Sequence, residues 1–408
     1  MGWLVMAVVG RPALVAAMWW DDRMPIARQL ARTRHTRPRV VIAGMGDTGV
    51  LVATRLSRSC EVVAIATRPA LVSGQELGHR LTDLDQWRRH YLVPFGRFRR
   101  LDRVRTLHGR ITRADLERRV VHVETVDGAQ VAEPYDFLVV ATGVANGFWR
   151  HDRVEDLKTI NGAMVEASQR IGAASTVALI GGGATGVSVA DNLARRNTGT
   201  VHLFHDGAEP LPGYHPRVRT WASRVLRADG VVVHPHHRAV VPAGFTGDRL
   251  TSDPVQWSTG QPPFAADVVL WAVGGVRPHS SFLPDTVLDA DGFVRVDEHL
   301  RVPGHAEVFA VGDVAASDPL RSSARNWGAQ VVVANLRVAV GGRGRRLRRF
   351  RAPTYRWGSV LGLQTDGLVV VQPSGRRARI PRVLARPLLF GVFVTRYLYG
   401  GLRRERSH

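Results

Sequence analysis

Cysteine is almost missing from this chain. Its single copy, Cys60, excludes an intramolecular disulfide, a CxxC redox pair and a cysteine-rich zinc site. Any redox chemistry therefore has to be carried by something other than protein thiols. Lysine is equally scarce: Lys158 stands alone among 56 Lys+Arg residues, so the basic character is arginine's. Acidic residues number only 35, which leaves a formal net charge of +21. Such an excess invites a nucleic-acid or anionic-membrane partner, but no recognised nucleic-acid module accompanies the arginines, and no nucleic-acid partner is expected. Long apolar runs are missing too. Gly2 to Trp20 is apolar but broken by Arg11-Pro12 and lacks a charged start. It is a poor secretory signal and falls short of the ~20 residues of a spanning helix. Residues 1–38 read as an extension and basic linker ending at Pro38, with Met24 an alternative start and an interfacial anchor the second reading.

What is present is the composition of a folded chain. Hydrophobic residues make up 45% and charged residues 22% of 408, enough for two or three domains with sizeable cores. Order begins at Arg39. The β-branched run Val40 to Ala43 leads into Gly44-Met45-Gly46-Asp47-Thr48-Gly49 and then a helical pattern through Val50, Leu51, Ala53 and Leu56. In strand–GxGxxG–helix the first glycine allows the tight turn. The second lets backbone approach a pyrophosphate, and the third lets helix pack on strand. The helix amino terminus adds unpaired N–H groups for the phosphates. The next strand, Glu61 to Ala66, ends where an acid usually holds the ribose. Here Ala66-Thr67-Arg68 follows, so the ribose has to be held by Thr67, by backbone, or less tightly.

A second copy of the pattern follows. Thr176 to Ile180 runs into Gly181-Gly182-Gly183-Ala184-Thr185-Gly186 and a helix, and the next strand, Thr200 to Phe204, ends at His205-Asp206. Two such units are hard to explain as loop chemistry. Three more apolar strands end in small-residue turns: Tyr135 to Val140 before Ala141-Thr142-Gly143, Ala266 to Trp271 before Ala272-Val273-Gly274-Gly275, and Val308 to Val311 before Gly312-Asp313. The last delivers an aspartate at the sheet edge where open α/β folds bind ligands. The histidines His79, His90 and His234/His236/His237 lack ligand spacing joined to acidic partners, and no metal is expected.

In this order, GMGDTG, ATG, GGGATG, AVGGVRP and VFAVGD resemble the FAD-dependent pyridine nucleotide-disulfide oxidoreductase superfamily. The likeness is to the branch without a redox disulfide, which holds type II NADH dehydrogenases and apoptosis-inducing-factor-like proteins, and it covers about Arg39 to Gly341. It implies an α/β fold of two Rossmann-like dinucleotide-binding domains. A discontinuous FAD domain (39–152 and 276–341) would carry an inserted NAD(P)H domain (153–275), with a small α+β region at 342–408. It implies FAD at Gly44, Met45, Gly46, Asp47, Thr48 and Gly49, with Thr67, Arg68, Ala141, Thr142, Gly143, Gly312 and Asp313. NAD(P)H would lie at Gly181, Gly183, Ala184, Thr185, Gly186, His205 and Gly274. Trp327, next to Gly328, would either stack beside the isoalloxazine or fill a domain interface. No catalytic side chain is assigned, because the cofactors carry the electronic chemistry.

The departures from the family matter. Relatives often read GVELA after the second glycine motif, where this chain has Ser188. The glutamine motif of quinone-reducing relatives finds no match in Ser322 to Gln330. His205-Asp206 is a mixed signal that leans to NADH. The expected activity is hydride transfer from NAD(P)H to FAD and onward to a quinone or other non-disulfide acceptor. A ferredoxin-type or other small-protein reductase, and a weakly catalytic sensing or partner-binding flavoprotein, are the alternatives. Pro387 to Leu402 is apolar, flanked by Arg386, Arg403 and Arg404. It suits an interfacial anchor on an anionic leaflet, or a helix packed on the chain's own FAD domain or in a homodimer. The expected location is cytoplasmic, peripheral on the inner membrane face if the anchor operates.

Overall fold

A computed structural model describes residues 37–146, 151–196, 199–273, 275–321, 327–341 and 346–404. Most of the amino-terminal extension, Gly274 and Ser322 to Asn326 lie outside the described residues.

The strands at 39–43, 61–66, 176–180 and 200–204 form over the lengths the apolar runs predict. Arg39–Ala43 lies at the centre of an eight-stranded sheet, parallel to Glu61–Ala66 on one side and Phe137–Val140 on the other. His305–Ala310 continues the parallel set beyond Phe137–Val140. On the far side, the first half of the long strand Val104–Asp115 pairs parallel with Glu61–Ala66. Its second half turns into an antiparallel meander with Val120–Thr125 and Gln130–Pro134. Side chains alternate across the sheet as strand geometry requires. Val40, Ile42, Val62 and Ala64 pack under helices Asp47–Leu56 and Gly328–Gly341. Val41, Ala43, Val63 and Ile65 pack against Val121, Val123, Phe282 and Val294. Burying each larger aliphatic side chain stabilises the fold by about 1.5–3 kcal/mol.

The second sheet has four parallel strands, with Thr176–Ile180 between Thr200–Phe204 and Val268–Trp271, and Val232–His234 at the edge. The chain passes between the sheets through two adjacent segments: Val144–Ala145 leaves, and Arg277–Pro278 returns antiparallel beside it. The fold is thus mixed α/β with two parallel-sheet units, completed by a small antiparallel sheet of Leu363–Gln364, Gly367–Val371 and Arg377–Ile380.

The carboxyl-terminal helix differs from the expected Pro387-to-Leu402 span. Helix Arg382–Ala385 runs on into a wider helix over Arg386–Leu398. The chain then reverses at Gly400-Gly401 to lay Leu402 beside Phe98. The inner face of the helix, formed by Phe390, Val394 and Leu398, packs on the first unit. There Phe390 stacks on His90 with ring centroids 4.2 Å apart, and Tyr399 lies edge-on to Phe98 at 5.0 Å. Arg403 then forms an ion pair with Asp102. Among the described residues no helix is long and apolar enough to cross a membrane.

Candidate functional site

Both glycine loops sit at the carboxyl ends of central parallel strands, and each of their glycines is constrained differently. Gly44 has φ 96° and Gly181 has φ 122°, conformations that side chains other than glycine's rarely adopt. A Cβ on Gly44 would come within 2.6 Å of the Ala141 oxygen, and one on Gly181 would overlap the Ala272 oxygen. The third glycines bring helix onto turn: a Cβ on Gly49 would overlap the Gly44 oxygen, and one on Gly186 the Gly181 oxygen. The middle glycines are the opposite case. Among the described residues nothing lies within 4 Å of where a Cβ on Gly46 or Gly183 would stand. Each loop therefore presents bare backbone to open space beside a helix amino terminus, a cradle that fits a pyrophosphate.

The other expected residues gather around these loops to different degrees. Gly312 packs on the first loop, where its Cβ would lie 3.0 Å from Thr48 Oγ1. Asp313 is half-buried and contributes to the field at Arg321. Thr142 donates its hydroxyl to the His279 carbonyl at 2.6 Å, and the His279 N–H donates to the Gly143 carbonyl, tying the turn to the returning segment. Asp47 is buried and turned toward its own unit: Ser73 Oγ donates to it at 2.7 Å and the Gly74 N–H at 2.9 Å. Trp327 stacks on Trp357 with ring centroids 5.7 Å apart.

At the end of strand Glu61–Ala66, Arg68 Nε donates to Glu155 at 2.9 Å, and its Nη2 lies 3.1 Å from His151 Nδ1. An acid does approach this strand end, but it arrives from a segment 87 residues away and is already held by arginine. Sequence spacing carries no signal for it. At the matching end of Thr200–Phe204, His205 is buried against Gly182. Burial lowers its pKa, which favours the uncharged ring. Asp206 next to it is exposed and 3.3 Å from Arg238.

Ser188 does not face an open cleft. A Cβ on Gly78 would lie 2.7 Å from Ser188 Oγ and 2.6 Å from Asn192 Nδ2, so helix Leu77–Thr82 of the first unit crosses tightly over the helix that follows the second loop. A glutamate at 188 has no room under that crossing. Cys60 is buried, and burial raises its thiol pKa, which disfavours the nucleophilic thiolate.

A protein-family model described as pyridine nucleotide-disulphide oxidoreductase matches residues 38–340, and the chain belongs to that family. The family's members are oxidoreductases that take FAD and NAD(P)H. The chain is similar to the oxidoreductase ptaL of Pestalotiopsis fici, 30% identical over 48% of this chain and 52% of that one. It is also similar to the type II NADH:quinone oxidoreductase NdhA of Mycobacterium tuberculosis, 25% identical over 68% of this chain and 66% of that one. Among solved structures, NDH2 of Plasmodium falciparum in complex with NADH aligns at TM-score 0.52 and 15% identity, covering 68% of this chain and 64% of that one. The chain spans about half the length of the first curated relatives it matches.

Proposed function

We propose that this chain is an FAD-dependent NAD(P)H oxidoreductase that passes two electrons from NADH to a quinone-class acceptor. The carrying observation is the pair of open glycine cradles, joined where Gly78 crosses the helix of the second loop. On this reading Gly44 to Gly49, Ala141 to Gly143, Gly312 and Asp313 hold FAD in a unit of residues 39–152 and 276–341. Gly181 to Gly186 and His205 hold the nicotinamide dinucleotide in residues 153–275. Bound flavin supplies hydride acceptance and onward electron transfer, while the chain positions both ligands and excludes water. The quinone assignment is supported by the similarity to a type II NADH:quinone oxidoreductase of Mycobacterium tuberculosis and by a single buried cysteine, which offers no dithiol relay.

NADH fits the second cradle better than NADPH. The neutral His205 ring can exchange a hydrogen bond with a ribose hydroxyl, whereas a 2′-phosphate would meet the exposed Asp206 carboxylate, which already engages the nearby Arg238. The test is anaerobic titration of the purified protein. It should be yellow, bleach on adding NADH at lower concentration than NADPH, and recover its colour with a soluble quinone. A colourless protein refutes the FAD assignment, and recovery with oxidised ferredoxin but not with quinone selects the small-protein alternative.

The outer face of the carboxyl-terminal helix supports peripheral membrane docking. Val383 is 78% and Val392 54% exposed, beside the exposed Arg386 and Arg396. Apolar area flanked by arginine suits an anionic leaflet. Replacing Val383 and Val392 together by Asp is expected to abolish flotation with phosphatidylserine vesicles while leaving the melting temperature within about 2 °C, because neither side chain is part of the core. Equal flotation of both forms rejects docking through this face.

A further inference from the structure

One buried pair lies outside the two cradles. Glu76 Oε2 stands 3.3 Å from His79 Nδ1, with the side chains 12% and 9% exposed. That carboxylate oxygen accepts no hydrogen bond among the described residues, although buried polar atoms are normally satisfied. Glu76 is also held at φ 53°, a left-handed conformation that residues other than glycine adopt under strain. Gly362 of the carboxyl-terminal region closes over the pair. A Cβ there would overlap Glu76 Oε2 and come within 2.6 Å of His79 Cε1. The packing thus holds a carboxylate oxygen that accepts no hydrogen bond against an imidazole.

The location gives the pair its meaning. Ser73 and Gly74, just before Glu76, bind Asp47 of the first glycine loop. Gly78, just after it, presses on Ser188 beyond the second loop. The pair therefore occupies the junction between the two cradles. A cavity of about 10 Å³ opens onto it, lined also by Gln86, Trp87, His90 and Phe390. That is room for about one water molecule, and too small for a quinone. The ionisable side chains facing the pair come from the neighbouring helix, His90 and Tyr91, while the carboxyl-terminal region contributes the apolar Leu363 and Phe390. Burial and the nearby Arg89 push His90 down to about 4, so the His90 ring is uncharged at neutral pH.

We propose that Glu76 and His79 form a proton-delivery pair for the acceptor half of the reaction. This rests on the quinone reading above. In the balanced reaction NADH + H⁺ + quinone → NAD⁺ + quinol, the nicotinamide C–H bond breaks and supplies a hydride, two electrons with one hydrogen. The second hydrogen is a proton from solvent. It enters through the one-water cavity and is held between His79 and Glu76. It leaves the pair as an O–H or N–H bond breaks and passes to water, which carries it on to form the second O–H bond of the quinol, after which cavity water reprotonates the pair.

The experiment compares two acceptors on the flavin-loaded full chain. A soluble quinone takes up protons, whereas ferricyanide takes one electron and none. Glu76→Gln and His79→Ala are expected to lower quinone-dependent kcat by about 10²-fold, the scale of general acid catalysis. KM for quinone and ferricyanide turnover should stay within about twofold by the same logic. Added imidazole should restore quinone turnover in His79→Ala. As a readout independent of turnover, electrochemical reduction should change a carboxyl band in the infrared difference spectrum of the wild type, and that band should be missing from Glu76→Gln. Equal loss with both acceptors, no loss with quinone, or an unchanged infrared band overturns the proposal. A wild type that reduces ferricyanide but no quinone overturns the functional reading, and the relay with it.

Discussion

Alanine at Gly49 is expected to leave the protein poorly folded and colourless, and alanine at Gly46 to leave it folded but colourless. At Gly49 the new methyl would overlap the main-chain oxygen of Gly44. Neither atom can move without pulling helix Asp47–Leu56 off its strand, so overpacking here costs about 3 kcal/mol or more. For a unit of this size that lowers the melting temperature by roughly 10 °C. At Gly46 the methyl enters open space, and an N-cap alanine costs at most about 1 kcal/mol relative to glycine. The methyl would stand where a pyrophosphate approaches, and flavin occupancy should fall by more than about tenfold, a binding loss above roughly 1.4 kcal/mol. Thermal melts of the apo forms and the flavin-to-protein absorbance ratio read the two effects separately. Gly186→Ala and Gly183→Ala should repeat the contrast for NADH. A Gly46→Ala protein that purifies fully yellow would sink the assignment of that loop to FAD.

This contrast also explains which parts of the fold and candidate site could be read from sequence. The parallel strands are buried on both faces, so they appear as unbroken apolar runs, and the 39–43 and 176–180 strands form over those runs. The glycine loops are legible because one local turn fixes all three positions. The meander is harder to see: Val104–Asp115 carries arginines on its exposed face and pairs parallel at one end and antiparallel at the other. Side-chain partners are harder still. Asp47 belongs to the loop by sequence, but its carboxylate is held by Ser73 and Gly74. Ser188 looks like a substituted functional position, and the reason a larger residue is absent is Gly78 of the other unit, whose Cβ would fall 2.7 Å from its hydroxyl. Glu76 and His79 become a site only when Gly362 closes over them. None of these contacts has a local signature, because each is made by tertiary packing.

Arg195→Met should be among the most destabilising single changes in the second unit, and its cost should depend on pH. Arg195 Nε is 2.9 Å from Asp191 and its Nη2 is 2.7 Å from Asp229. Asp191 is fully buried on the helix that begins at the second glycine loop. Burial pushes its carboxyl up to about 7, Arg195 opposes that rise, and Asp229 adds to it. Removing the guanidinium leaves a buried carboxylate without its counter-charge, a loss of about 3–5 kcal/mol. Because the folded pKa lies above the unfolded value, the folded state binds more protons than the unfolded state between about pH 4 and 7. The stability from this group is full below that window and is lost as pH rises through it. The variant's deficit should therefore be largest at about pH 8, where Asp191 of the intact protein is ionised beside Arg195, and smallest near pH 4, where it is protonated in both proteins. Urea midpoints at the two pH values test this, and Asp191→Asn combined with Arg195→Met should recover most of the loss at the higher pH. A deficit that is the same at both pH values would place the effect in the lost packing of the arginine stem rather than in the stranded charge.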